Sequence, residues 1–183
     1  MNRYTNLNDK HLDVDWVEVT RRYINEQASS PDLPPALTEA EVKEAEERLG
    51  YPLPKLMRQL YMNVGNGGFG PGLGFLPLLP IEEEGESVTS IVEADRETDQ
   101  DGILQFYMPL FKWDENGYGY MHLEENDNHV MIADNDYLQD EFDRNKLLAD
   151  QYPIIASTLE GLMQDWLAGK PMTAESYGMN SQM

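Results

Sequence analysis

The chain has 183 residues, 34 of them acidic and 13 basic, so its formal net charge at pH 7 is −21 with histidine neutral. A charged fraction of 26% and an apolar fraction of 40% are ordinary for a folded domain, so the anomaly is one of sign, and the length favours one core over two. That sign disfavours binding to nucleic acid or an anionic membrane through a basic surface, and the absence of cysteine removes disulfides, thiolate metal sites and cysteine nucleophiles.

Leu12, Trp16, Val19 and Tyr23 recur at helical spacing, which predicts an amphipathic helix over roughly Asp13 to Gln27, followed by the linker SSPDLPP at 29–35. Thr38 and Glu41 form a capping box ahead of Val42, Ala45 and Leu49, with Gly50 as a left-handed stop, so a second helix runs from Glu39 to Leu49. Pro54 suits a first helical position. Leu56, Met57, Leu60 and Tyr61 give a third helix one apolar face, and Gly65 ends it. Six glycines between 65 and 74 then punctuate a loop that leads into FLPLL, expected as a strand interrupted by Pro77.

Ser87 to Asp99 has weak helical character. After it FYMPLFKW at 106–113, YGYMHLE at 118–124 and HVMIAD at 129–134 alternate, separated by the turn-formers DENG and ENDN, which predicts an antiparallel meander. Ser157 and Glu160 read as another capping box for a helix lined by Leu159, Leu162, Met163, Trp166 and Leu167 and stopped by Gly169. Helices segregated from strands indicate an α+β domain with a mixed, mainly antiparallel sheet.

The charge is not spread evenly. Residues 1–80 hold 11 acids and 8 bases, net −3, whereas residues 81–183 hold 23 acids and 5 bases, net −18. The acids are interleaved with aromatic and aliphatic residues, so a folded acidic surface is expected rather than a disordered tail. No signal-peptide core precedes the first helix, and the most apolar stretch, 73–81, holds two prolines and is too short to span a bilayer, so a cytoplasmic protein is expected.

Several chemical motifs fail on context. Gly65, Gly67 and Gly70 satisfy G-x-G-x-x-G, but a helix precedes them and an extended segment follows, the reverse of a dinucleotide site, so a glycine-rich turn is favoured. No Gly-Lys-Ser/Thr occurs, and none of the seven serines lies in G-x-S-x-G. His122 and His129, with Asp127 and Asp134, suggest a two-histidine carboxylate metal site, but hairpin geometry alone makes them neighbours, and ion-paired surface histidines are favoured. Trp113, Tyr118 and Tyr120 offer stacking rings for a sugar or base, against the favoured reading that alternate members fill the inner face of the sheet. No cofactor or metal is expected.

The segment LTEAEVKEAEERLGYPLPKLMRQLYMNVGNGG at 37–68, with Leu49, Gly50, Leu53, Pro54, Asn66, Gly67 and Gly68, resembles the opening of the SUKH superfamily: a helix, a Leu-Gly-x-x-Leu-Pro connector and a helix ending in Asn-Gly-Gly. LPLLP at 76–80, the Trp113 strand, the Gly117 to Tyr120 segment and the final helix ending in QDWL continue the pattern over about residues 37–168. The superfamily includes the fungal cell-wall assembly and glucan-synthesis regulator and many bacterial immunity proteins. The resemblance implies a noncatalytic single α+β domain, preceded here by an extension over 1–36 and followed by a tail over 169–183. It also implies a protein partner, for bacterial members a cognate secreted toxin. With the charge, it leads to the expectation of an acidic surface engaging a basic toxin domain, through Glu124, Glu125, Asp127, Asp134 and Asp136 with Tyr118 and Tyr137. The alternative is a regulatory or scaffold module linked to cell-wall assembly, with the N-terminal helix as its docking face.

Overall fold

The computed structural model describes residues 14–27, 32–83, 85–98, 106–113, 117–123, 128–134 and 152–171, of which 133 and 134 are described in the backbone alone. The order is α1 (Trp16–Glu26), α2 (Glu39–Leu49), α3 (Lys55–Asn63), α4 (Val88–Thr98), β1 (Tyr107–Lys112), β2 (Gly117–His122), β3 (Val130–Asp134), β4 (Ile154–Ala156) and α5 (Leu159–Leu167). The strands pair in the order β1-β2-β3-β4, each pair antiparallel, so the domain is α+β.

Local chemistry sets the helix ends. Asp15 caps α1 by accepting the Glu18 N–H at 3.0 Å. At α2, Glu41 donates its N–H to the Thr38 hydroxyl at 3.3 Å and its carboxylate accepts the Thr38 N–H at 2.7 Å, while Gly50 closes the helix at φ 76°. Arg96, on α4, donates to the carbonyls of Arg48 and Leu49, satisfying the C-terminal end of α2 from a neighbouring helix. Beside it Arg48 makes a two-pronged pair with Glu93 at 2.8 and 2.7 Å. The α2–α3 corner is fixed by the Glu46 carboxylate, which accepts both the Leu53 N–H at 3.0 Å and the Arg58 guanidinium at 2.8 Å.

Two expectations need correction. FLPLL is not a strand. Phe75 makes a single bridge to Phe111, Leu76 donates to the Leu110 carbonyl at 3.1 Å, and Pro77, which has no N–H, cannot continue the ladder. The cap of α5 is Thr158, not Ser157: its hydroxyl accepts the Gly161 N–H at 3.0 Å, so the third helical residue is a glycine and no reciprocal glutamate box forms. The helix ends as expected at Gly169, whose φ of 71° lets Lys170 donate back to the Asp165 carbonyl at 3.0 Å. Strand β4, three residues long, carries no alternation that a sequence reading could detect.

One core joins these parts. Val42, Ala45 and Leu49 of α2, Met57 and Leu60 of α3, Phe75 and Leu78 of the loop, Met108 and Phe111 of β1, Met121 of β2 and Leu162 and Met163 of α5 belong to a single buried cluster. Helix α1 packs on α3, burying Thr20 and Ile24, and Tyr23 meets Trp166 edge to face at 4.9 Å. The Phe111 ring covers Gly119 on the facing strand, where no side chain fits. Gly117, Gly119 and Met121 are therefore the buried positions of β2, and Tyr118 and Tyr120 share its other, half-buried face, where Tyr118 packs against the core.

Candidate functional site

The glycine-rich segment is a structural clamp. Asn66 is buried, and its side chain accepts the Leu78 N–H at 2.7 Å and donates to the Leu79 carbonyl at 2.9 Å. From α3, the fully buried Tyr61 hydroxyl donates to the Leu76 carbonyl at 2.8 Å, and burial holds that phenol well above its ordinary pKa. Gly67 has φ 87°, and a Cβ there would lie 2.7 Å from the Phe75 oxygen and the Pro77 nitrogen. The backbone of residues 75–77 therefore fills the space beside Gly67. Leu49 and Leu53 are buried, Gly50 stops α2 and Pro54 precedes α3. Gly68 donates to the Phe75 carbonyl at 2.9 Å, and Trp113 packs partly buried against the core.

Near the end of β1 a polar cluster forms around Tyr118. The Tyr118 hydroxyl donates to Glu86, just before α4, and Lys112 on β1 reaches the same carboxylate at 3.0 Å while lying 5.9 Å from the Tyr118 ring centre. Burial raises the pKa of Glu86, but the hydrogen bonds from Tyr118 and Lys112 outweigh it and the net shift is downward. Tyr118 is driven upward, by burial first and then by donating to an anion. Its neighbour Tyr120, 6.1 Å away ring to ring, is raised chiefly by burial and next by Asp95. Both phenols thus stay protonated donors at neutral pH, and Glu86 stays an anion with its two donors fixed.

Among the proposed contact residues, Tyr118 is the one whose side chain is described. Asp134 ends β3 with its Cα opposite Gly117, and its side chain lies outside the described residues. Glu124, Glu125, Asp127, Asp136 and Tyr137 also lie outside them. Glu86 escaped the sequence reading, since its partners stand 26 and 32 residues away. The only local signal was an acid just ahead of a weak helical segment.

His122 and His129 face each other with ring centres 4.8 Å apart, and Tyr107 lies 4.9 Å from His122. His129 is buried. They form part of an aromatic stack rather than an exposed pair. Among the described residues no group of three or more His, Asp and Glu could hold a metal ion, and no helix is long and apolar enough to cross a membrane. A cleft of about 1020 Å³ opens between α1, α3 and the start of α5. Asp15, Glu18 and Glu160 line it alongside Arg21 and Lys55, so its charges are mixed.

Comparison with known families matches residues 36–163 to the SMI1 / KNR4 family (SUKH-1). A search of curated proteins finds no match. The family match spans well over half of the chain, and the chain belongs to the SMI1 / KNR4 (SUKH-1) family. Helix α1 and the end of α5, including Trp166, fall outside the matched residues. Membership carries an immunity or SMI1/KNR4-like role in general terms, exercised through protein–protein interaction in a family that is generally noncatalytic.

Proposed function

From membership of the SMI1 / KNR4 family we infer that this chain is a bacterial immunity protein that binds and neutralises a cognate toxin domain without chemistry of its own. The family match over residues 36–163 carries that reading, and the concentration of charge sharpens it. With net −18 beyond residue 80, a basic toxin, for instance a nuclease, is the partner whose encounter the field accelerates. Neutralisation is by occlusion. Carboxylates take the place of the phosphates that such a toxin grips, and aromatic side chains desolvated on contact supply the holding energy. Glu124, Glu125, Asp127, Asp134 and Asp136, with Tyr118 and Tyr137, are the proposed contacts. In the described part, Tyr118 is already pre-set as a hydrogen-bonded ring beside an anion.

The test is co-production with the toxic C-terminal domain of a large secreted protein encoded immediately upstream. Restored growth, together with a purified complex that carries no turnover, is the expected result. Continued killing in the presence of folded chain would refute the reading.

A regulatory or scaffold role linked to cell-wall assembly is the second reading, with α1 as the docking face. The packing of α1 weakens it. The apolar side of that helix is already committed to α3 and Trp166, which leaves exposed charged positions such as Glu18, Arg21 and Arg22 for a partner. Deleting residues 1–30 separates the two readings, because loss of partner binding in a chain that still folds favours the scaffold role.

A further inference from the structure

A tyrosine hydroxyl has one proton to donate, and an ionised carboxylate has none. Tyr118 donates that proton to Glu86 Oε1, and Lys112 donates to Oε2 at 3.0 Å. Burial first, and then the bond to Glu86, keep the phenol protonated, so the direction of that hydrogen bond is fixed. What the cluster offers outward is acceptor capacity: the remaining lone pair of the Tyr118 oxygen and, of roughly four acceptor positions on a carboxylate, those of Glu86 that no described residue fills. Solvent reaches both groups, since the Glu86 side chain is 41% exposed and Tyr118 is half-buried.

A cation is already seated on this pair. The Lys112 ammonium contacts Glu86 and lies 5.9 Å from the centre of the Tyr118 ring, but it holds the carboxylate by one oxygen only. The same molecule contains the stronger arrangement at Arg48, whose Nε and Nη2 grip both oxygens of Glu93 at 2.8 and 2.7 Å. An uncharged donor could not replace the Lys112 ion pair, and a lysine from outside would exchange one ammonium for another. A guanidinium does better than either, because its planar fork matches the carboxylate while its face lies on an aromatic ring. We propose that Glu86, Tyr118 and Lys112 form an arginine-accepting subsite of the partner interface, in which the partner's guanidinium takes both oxygens of Glu86 and displaces Lys112. Only the Lys112 side chain has to move, because its backbone is tied to Leu73 and Gly74 at 2.8 and 3.2 Å. The inference rests on the immunity reading, names the side chain that the basic partner presents to Tyr118, and adds Glu86 to the contact residues.

An NMR titration of the full chain with tetra-arginine and tetra-lysine peptides, equal in length and charge, at low salt tests the subsite. Tetra-arginine is expected to bind roughly fivefold or more tightly than tetra-lysine, and to shift the amides of Glu86 and Lys112 and the ring resonances of Tyr118. E86Q should bring tetra-arginine down to the level of tetra-lysine, whereas E82Q, which removes the same charge nearby in the chain, should keep the preference. Y118F retains the ring and removes the oxygen, and should reduce the preference. K112M vacates the carboxylate and should tighten tetra-arginine binding beyond K43M, which removes the same charge from an exposed position on α2. Equal binding of the two peptides, no binding at all, a preference that survives E86Q, or equal responses to K112M and K43M would overturn the subsite. The immunity reading is judged separately by protection from the toxin domain, so a chain that protects yet shows no arginine preference loses the subsite and keeps the function.

Discussion

Residues 37–80 and the acidic remainder of the domain are built on opposite principles. In the first region polar groups are spent on the chain's own backbone and side chains: Thr38 on Glu41, Glu46 on Leu53 and Arg58, and Asn66 on Leu78 and Leu79. In the second, Glu82 and Glu83 are exposed and make no ion pair among the described residues, and Glu86 is held near the surface by one lysine and one tyrosine. Burial makes the Asn66 bonds costly to lose, whereas exposed carboxylates contribute little to stability and remain available to something outside the chain. The contrast separates the part of the family pattern that makes a fold from the part that can meet a partner.

The largest expected effect lies in the first region. G67A places a methyl group against the Phe75 and Pro77 backbone at a positive φ, and should cost on the order of 3–5 kcal/mol in chemical denaturation, through backbone strain plus overpacking. N66A leaves the Leu78 N–H and the Leu79 carbonyl without their side-chain partner, and a loss of about 2–4 kcal/mol is expected by the same measurement. A change below about 0.5 kcal/mol for either would erase the distinction between the two regions. R96A, which uncaps α2 from a distance, should cost about 1–2 kcal/mol and increase amide exchange at the end of α2.

Smaller effects belong to the second region. The folded-state pKa of Glu86 is lowered, so its contribution is complete above the ordinary carboxylate pKa and is lost as pH falls through the folded value. Because Glu86 is partly exposed, the contribution is discounted to about 1 kcal/mol or less. E86Q should therefore destabilise slightly near neutrality, and the difference from wild type should shrink as pH falls below the ordinary carboxylate range and through the lowered folded-state value. A difference that persists there would mean that the Tyr118 contact is held by packing rather than by charge.

Legibility in the sequence follows the same division. The Thr38 box, the Gly50 and Gly169 stops, the apolar face of α3 and the meander from β1 to β3 are short-range patterns, and the structure has each of them. The failures need long-range or competing information. The apolar neighbours of Phe75 predict a strand, but Pro77 ends the ladder, and Ser157 reads as a cap although Thr158 stands one residue closer to the helix. The cap on α2 reaches 47 residues along the chain from Leu49 to Arg96, and no local window contains it. Tyr118 was legible as an aromatic on an alternating segment, but its partner Glu86 was not.

The central claim is that a toxin is captured through an acidic surface. The association rate of the purified chain with the basic toxin domain, measured by stopped flow from about 50 to about 500 mM salt, tests it most directly. A fall of roughly tenfold or more, with D134K and D136K together already slow at low salt, is the expected result. A rate indifferent to both salt and charge reversal would contradict it.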